Sequence, residues 1–141
     1  MTTRTGSARY VGLGKAGKGH VSTESGVLAD APYSFNTRFG DEKGTNPEEL
    51  IAAAHASCFT MALSFALAGA GYSEGTLETK AAVKLEQDGA GFKVTRSDLT
   101  LTASVPSIEP EQFASIAADA KANCPISKLL NAEISLSHTL E

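Results

Sequence analysis

The chain has 141 residues, of which 42% are hydrophobic and 20% are charged. This size and balance fit one soluble domain over residues 1–141 better than two domains. The 12 basic and 16 acidic side chains give a formal net charge of −4, which argues against the basic surface of a nucleic-acid-binding protein.

Short β-prone segments and turns dominate the first forty residues. Residues 9–11 and 20–28 are β-prone, and residues 33–39 are predicted to be extended again. The glycine-rich stretch 12–19 satisfies the pattern G-x-G-x-x-G and nearly satisfies the P-loop pattern. Both motifs need a helix N-terminus directly afterwards to bind the phosphate, and residues 19–23 are not helical in pattern. We therefore interpret the stretch as a hairpin loop.

The best-marked element is a helix predicted from Pro47 to about Ala68. Asn46 supplies an N-cap acceptor and Pro47 suits the first helical position. Glu48 and Glu49 lie near the positive helix end, and Asn46 with Glu49 resembles a capping box. The helix is rich in alanine and nearly uncharged afterwards, which predicts burial on most sides. Polar side chains interrupt the apolar run and favour a packed central helix over a membrane span, namely His55, Ser57, Thr60 and Ser64.

The second half of the sequence predicts a hairpin, two helices and a strand. Residues 76–86 alternate cleanly, residues 88–91 have hairpin chemistry, and the return strand 92–105 changes phase, which predicts a bulge near residues 96–98. A helix begins at residues 109–111, a short one runs from Pro125 to about Leu130, and residues 134–140 form a last strand. This order predicts an α+β fold with mostly antiparallel sheet.

The two cysteines, Cys58 and Cys124, are too few for a disulfide-stapled small protein. Residues 1–7 contain no apolar run typical of a secretory signal, so we expect a cytoplasmic protein. Cys58 lies within an apolar helical stretch, where a free cysteine is often a small buried hydrophobe. Cys124 precedes Pro125 at a predicted helix start, where the partial positive charge stabilises a thiolate. The pattern alone leaves structural and redox roles open.

A metal site is one alternative for these residues. His55 and Cys58 are three residues apart on one helix face, and Cys124 and His138 complete a set of four ligand types. Structural zinc sites usually place their ligands in close pairs, whereas here three separate elements must converge. We interpret His55 instead as a core histidine with a hydrogen-bond partner. A non-enzymatic module that binds a metal or small ligand is kept as the alternative function.

Several residue runs resemble the OsmC family of osmotically inducible hydroperoxide reductases, over essentially the whole chain. They are residues 21–28, 32–39, 44–51, 53–56 and 58–59, with Cys124-Pro125 downstream. Arg38 matches the position of the active-site arginine in OsmC proper. In the sister Ohr subfamily that arginine lies in an early N-terminal loop, and a different residue usually stands at the position of His55. The resemblance is therefore to OsmC proper.

The resemblance implies an intertwined homodimer with curved, mostly antiparallel sheets around two central helices. It also implies a cofactor-free cysteine peroxidase that acts on organic hydroperoxides and, less selectively, on hydrogen peroxide in oxidative and osmotic stress defence. By resemblance Cys58 is the peroxidatic cysteine, Cys124 is the resolving one, and Arg38 and Glu48 are the charged pair. An external dithiol, such as a lipoylated protein, then regenerates the enzyme. No nucleic-acid or membrane partner is implied.

Physical chemistry agrees with these roles and adds one expectation. A permanently charged arginine lowers the pKa of a nearby thiol, and a carboxylate holds the guanidinium in one pose through two hydrogen bonds. Glu48 and Cys58 are ten residues apart on one predicted helix, or about 15 Å along its axis. We therefore predict active sites at a dimer interface, with both cysteines from one subunit and Arg38 and Glu48 largely from its partner.

Overall fold

The computed structural model describes all 141 residues. The chain contains six strands and four α-helices, and the predicted α+β class is confirmed. It divides into two compact units, Met1–Leu50 and Ile51–Glu141.

The first unit contains a three-stranded antiparallel sheet in the order β1-β2-β3. Its strands are β1 (Gly6–Val11), β2 (Lys18–Thr23) and β3 (Ala31–Tyr33). The glycine-rich stretch connects β1 to β2 through a short 3₁₀ turn at Gly14–Ala16, so its interpretation as a hairpin loop is confirmed. Gly19 is required for packing, because a Cβ atom there would lie 2.6 Å from the Tyr33 ring.

Residues 33–39 are not extended throughout, and this part of the sequence prediction is wrong. A single-turn helix, α1, covers Phe35–Phe39. The reason is a local capping box: the Thr37 N–H donates to the Ser34 Oγ, and the Ser34 N–H donates to the Thr37 Oγ1, at 3.2 and 2.8 Å. This turn places Arg38 at the end of a short helix.

The long helix α2 covers Pro47–Gly69, as predicted. Its N-cap is confirmed, because the Glu49 N–H donates to the Asn46 Oδ1 at 2.8 Å. By length and composition α2 is also able to cross a membrane. This is weak evidence for a membrane span, because the core helices of soluble proteins pass the same test.

Burial of α2 on most sides is wrong for the single chain. One stripe is buried, with its residues four apart: His55, Phe59, Leu63 and Leu67. On the other faces Met61 and Phe65 are 61% and 72% exposed. A single chain covers only the stripe that faces its own core.

In the second unit, β4 (Thr76–Asp88) and β5 (Gly91–Ser104) form the predicted hairpin. Lys84 pairs with Arg96 and Leu85 pairs with Val94, so Thr95 is the extra residue of a bulge, next to its predicted position. The last strand, β6 (Glu133–Leu140), pairs with β5 in parallel.

Two helices connect β5 to β6, namely α3 (Pro110–Asn123) and α4 (Pro125–Leu129), and both begin where they are predicted. The hydrophobic core of this unit contains Phe59, Leu63 and Leu67 of α2, Leu99 and Leu101 of β5, Phe113 of α3, and Cys124. The fold thereby places one cysteine inside the core.

Candidate active site

Arg38 and Glu48 form a bidentate ion pair in the first unit. The Arg38 Nε donates to the Glu48 Oε1 at 2.9 Å, and its Nη2 donates to Oε2 at 2.8 Å. The Arg38 side chain is 36% exposed and that of Glu48 is 13% exposed. The hydrogen bond to Glu48 raises the pKa of Arg38, against a smaller opposing effect of burial. The Arg38 guanidinium is therefore a cation that Glu48 holds in one orientation and that still reaches solvent.

An aromatic cleft of about 330 Å³ lies beside this cation. It is lined by Tyr10, Tyr33, Phe35 and Phe39 as well as by Arg38. The Arg38 guanidinium lies 5.4 Å from the centroid of the Phe39 ring. Such a cleft is suited to hold an apolar group next to a position where negative charge develops.

The two cysteines meet in the second unit as reduced thiols. Cys58 lies in the middle of α2 and is partly exposed, whereas Cys124 is fully buried at the N-cap position of α4. The predicted position of Cys124 at a helix start is confirmed. Because only Cys58 is open to solvent, only Cys58 is accessible to a dissolved oxidant.

The surroundings shift the pKa values of the two thiols in opposite directions. Burial raises the pKa of Cys58, and so does its interaction with Cys124, against a smaller effect of the Ile126 N–H. Burial also acts to raise the pKa of Cys124, but the contacts with Cys58 and with the N–H and hydroxyl groups of Ser127 outweigh it and lower that pKa. Cys124 makes no side-chain capping hydrogen bond at the start of α4.

His55 is fully buried and both of its ring nitrogens have partners. Nδ1 lies 2.6 Å from the Ser97 Oγ, and Nε2 lies 2.8 Å from the Ser127 Oγ. Burial lowers the pKa of His55, so the ring is neutral near pH 7. The interpretation of His55 as a hydrogen-bonded core histidine is confirmed. No group of three His, Cys, Asp or Glu side chains is arranged to hold a metal ion, and the His138 ring packs against Phe113.

The predicted site residues thus form two pairs, Arg38 with Glu48 and Cys58 with Cys124, one in each unit. Sequence reasoning missed Ser97 and Ser127. Ser127 had a local signal, because the third residue after an N-cap residue faces it across the first turn. Ser97 had none, since it lies 42 residues from His55 along the chain.

Comparison with known proteins places this arrangement in a family. Residues 40–139 match the family described as OsmC-like protein. Peroxiredoxin OsmC of Escherichia coli (strain K12) is 51% identical over 138 residues, which cover 98% of this chain and 96% of that protein. Organic hydroperoxide resistance protein OhrB of Bacillus subtilis (strain 168) is 26% identical over 124 residues, 87% of this chain and 89% of that protein.

The fold comparison gives the same result. A crystal structure of OhrB of Bacillus subtilis superposes with a TM-score of 0.72 and 30% identity, and the match covers 98% of both chains. The greater identity to OsmC than to OhrB separates the two branches. The chain therefore belongs to the OsmC-like protein family, and within it to OsmC proper and not to the Ohr subfamily.

Proposed function

We propose that this protein is a thiol-dependent peroxidase that reduces organic hydroperoxides, and less selectively hydrogen peroxide, in oxidative and osmotic stress defence. The observation that carries the proposal is the contact between a solvent-accessible Cys58 and a fully buried Cys124. The names of the similar proteins, a peroxiredoxin and a hydroperoxide resistance protein, support it.

Cys58 is the proposed nucleophile. Its thiolate attacks one peroxide oxygen, so that an S–O bond forms, the O–O bond breaks, and the departing alkoxide takes a proton to become an alcohol. The Cys124 thiolate then attacks the sulfur of the Cys58 sulfenic acid. An S–S bond forms, the S–O bond breaks, and hydroxide leaves and takes a proton from solvent to become water. An external dithiol, such as a lipoylated protein, reduces the disulfide by exchange.

The proposed nucleophile needs a cation that the second unit does not supply. Burial and the interaction with Cys124 raise the pKa of Cys58, and the Ile126 N–H lowers it by less, so the net effect is a raised pKa. A guanidinium beside Cys58 reverses this preference by stabilising its thiolate. Arg38, oriented by Glu48, is the proposed source of that charge and stabilises the departing alkoxide as well.

We further propose that a second copy of the chain brings this cation to Cys58. Glu48 and Cys58 are ten residues apart on α2, which corresponds to about 15 Å along the helix axis. Two antiparallel copies of α2 bring Glu48 of one subunit toward Cys58 of the other. The exposed apolar face of α2 supports the same homodimer, because a groove of about 560 Å³ there is lined by Ala53, Ala56, Met61 and Phe65 among others.

Measurement of the oligomeric state in solution tests the proposed dimer. Sedimentation is expected to show a dimer for the natural chain. Phe65→Glu, which places a charge on the exposed apolar face, is expected to give monomers and to lose peroxidase activity. A natural chain that is monomeric at micromolar concentration but fully active rules out the shared site.

We also propose that the protein is cytoplasmic. We further propose that residues 1–141 unfold as one domain, because α2 runs continuously from the first unit into the second. Hydrogen exchange is expected to show a common global opening for amides of β2 and β5. Separate transitions for the two units contradict this.

The chemistry is tested by counting thiols before and after one equivalent of an alkyl hydroperoxide. The two thiols of the reduced protein are expected to fall to none as the disulfide forms. Cys58→Ser is expected to keep its remaining thiol and consume no hydroperoxide. Cys124→Ser is expected to complete one turnover and stop as a sulfenic acid. Retention of both thiols in the natural chain contradicts the proposed function.

A further inference from the structure

A buried histidine joins the two helices that carry the cysteines. His55 lies three residues before Cys58 on α2, so the two side chains are about one helical turn apart on the same face. Ser127 lies three residues after Cys124, within the short helix α4. The His55 Nε2 and the Ser127 Oγ are 2.8 Å apart. One hydrogen bond therefore links the turn before Cys58 to the turn after Cys124.

The same ring is bound on its other side as well. The His55 Nδ1 lies 2.6 Å from the Ser97 Oγ of β5. His55 and Ser97 are completely buried, and Ser127 is 9% exposed. A neutral imidazole has one N–H donor and one acceptor nitrogen, and a serine hydroxyl can supply the complementary group to either. Both ring nitrogens are therefore satisfied, and His55 bridges β5 and α4.

The bridge is the main directed contact that α4 makes with its surroundings. This helix has five residues, which are too few for a helix that is stable without packing. The contact with His55 is the only hydrogen bond from a side chain of α4 to another helix or strand. Its apolar attachment comes from Ile126, which packs against the core, whereas Leu129 is 74% exposed. Because apolar packing is non-directional, the hydrogen bond sets the position of α4 against α2.

We propose that His55 is a positioning residue that holds α4 through Ser127 and so keeps the two cysteines within bonding reach. Neither His55 nor Ser127 needs to touch a sulfur atom in this role. Disulfide formation needs both sulfurs close together, because one S–S bond replaces two S–H bonds as an oxidant takes up two electrons and two protons. The link between the helices favours this step, since it excludes orientations of α4 in which the sulfurs are apart.

The positioning is tested by the equilibrium of the reduced protein with glutathione disulfide. In this exchange the S–S bond of glutathione disulfide breaks, one forms between Cys58 and Cys124, and two glutathione molecules leave with the two thiol protons. The equilibrium constant is the effective concentration of one protein thiol toward the other. Alkylation of the remaining thiols and intact-mass measurement count the species, at a temperature at which every variant is folded.

Ser127→Ala is expected to lower this effective concentration about three- to tenfold, the equivalent of one hydrogen bond. Ser97→Ala is the matched control, because it removes the partner of the other ring nitrogen but leaves the link to α4. Both variants leave one buried nitrogen without its partner and destabilise the fold, yet Ser97→Ala is expected to leave the effective concentration nearly unchanged. No decrease in Ser127→Ala, or an equal decrease in both variants, overturns the proposal.

Substitution of the ring gives a second readout. His55→Gln carries an amide group near the position of Nε2 and can still bind Ser127, whereas His55→Asn carries one near Nδ1, on the side of Ser97. We expect His55→Gln to retain more of the effective concentration than His55→Asn, and the reverse order overturns the proposal. The serine variants, which nearly keep the volume of the core, decide the question if a His55 variant does not fold.

The role in peroxide reduction rests on the proposed function, whereas the positioning does not. With an alkyl hydroperoxide, Ser127→Ala is expected to slow disulfide formation by the factor found for the effective concentration, while sulfenic acid forms on Cys58 at its natural rate. A chain that does not reduce hydroperoxide but shows the altered glutathione equilibrium contradicts the proposed function alone. A peroxidase whose glutathione equilibrium is unaffected by Ser127→Ala contradicts the positioning role alone.

Discussion

The two pairs of site residues are held in position by different interactions, one by hydrogen bonds within the pair and the other by packing in the core. Arg38 and Glu48 are partly exposed and are oriented mainly by each other, through two hydrogen bonds. Cys58 and Cys124 are positioned by the core, because Cys124 belongs to the buried cluster and Cys58 packs against it. Packing therefore fixes the sulfur atoms whether or not they react, whereas the guanidinium depends on one carboxylate. Substitutions at the first pair should affect activity, and substitutions around the second pair should affect folding as well.

The largest expected effect is on stability, beside the cysteine pair. Phe59 follows Cys58 on α2 and is fully buried. Phe59→Ala is expected to lower the free energy of unfolding by about 3–5 kcal/mol, because a large cavity is left in the core. Urea denaturation measures the loss. Leu13→Ala, at a position 91% exposed, serves as the control and should change stability by no more than about 0.5 kcal/mol. Equal effects at both positions contradict the assignment of Phe59 to the core.

Removal of the charge in the first pair should instead affect turnover. Arg38→Met is expected to lower kcat/KM for an alkyl hydroperoxide about 10²- to 10³-fold, the range found when a group that stabilises developing negative charge is lost. The free energy of unfolding should fall by about 1–3 kcal/mol, because the mostly buried Glu48 carboxylate loses its partner.

Arg96→Met is the matched control for Arg38→Met. Arg96 is 35% exposed and is paired with Asp98 and Glu133, but it belongs to neither site pair. Its kcat/KM should be unchanged. A similar loss of activity in both variants indicates a general charge effect and contradicts the role of Arg38.

A smaller effect is expected for the carboxylate that orients the arginine. Glu48→Gln keeps one acceptor oxygen but loses the charge and the second hydrogen bond. We expect kcat/KM to fall about tenfold, since the cation stays and only its orientation is relaxed. Steady-state kinetics measure this, with Glu49→Gln as the neighbouring control. A loss as large as that of Arg38→Met shows that Glu48 does more than orient the guanidinium.

The smallest effect is the dependence of stability on pH at His55. Burial lowers the pKa of this ring below its ordinary value of 6.5, so the unfolded chain binds a proton more readily than the folded one. The contribution is complete above pH 6.5 and is lost progressively as the pH falls below it. Urea denaturation at pH 7.5 and at 5.5 is expected to show lower stability at the acid value, by less in His55→Gln than in the natural chain. An equal decrease in both proteins excludes His55 as the cause.

Local signals predicted most of the elements near the site. Proline, asparagine and acidic residues mark the start of α2, and Cys124-Pro125 marks the start of α4, because caps act within one helical turn. The phase change in the return strand located the bulge to within one residue of Thr95. The helix α1 had a usable signal in Ser34 and Thr37, but its five residues are too few for a periodic pattern.

Contacts distant in sequence were not predictable. Ser127 lies 72 residues from His55, and nothing in the pattern around either residue specifies the other. The composition of α2 likewise predicts an apolar environment without saying whether the same chain or another copy provides it. Met61 and Phe65 have the same hydrophobic character as Leu63, yet the single chain buries only Leu63.

The parallel pairing of β6 with β5 has a consequence for how the second unit assembles during synthesis. Arg96 pairs with Glu133 and Ala103 with Leu140, so this edge joins segments 37 residues apart that are separated by two helices. β4 and β5 are both synthesised before β6, so one edge of β5 has no strand to pair with until the end of the chain is made. The nascent chain must protect this edge until its last strand arrives, so a ribosome pause before residue 133 should increase misassembly.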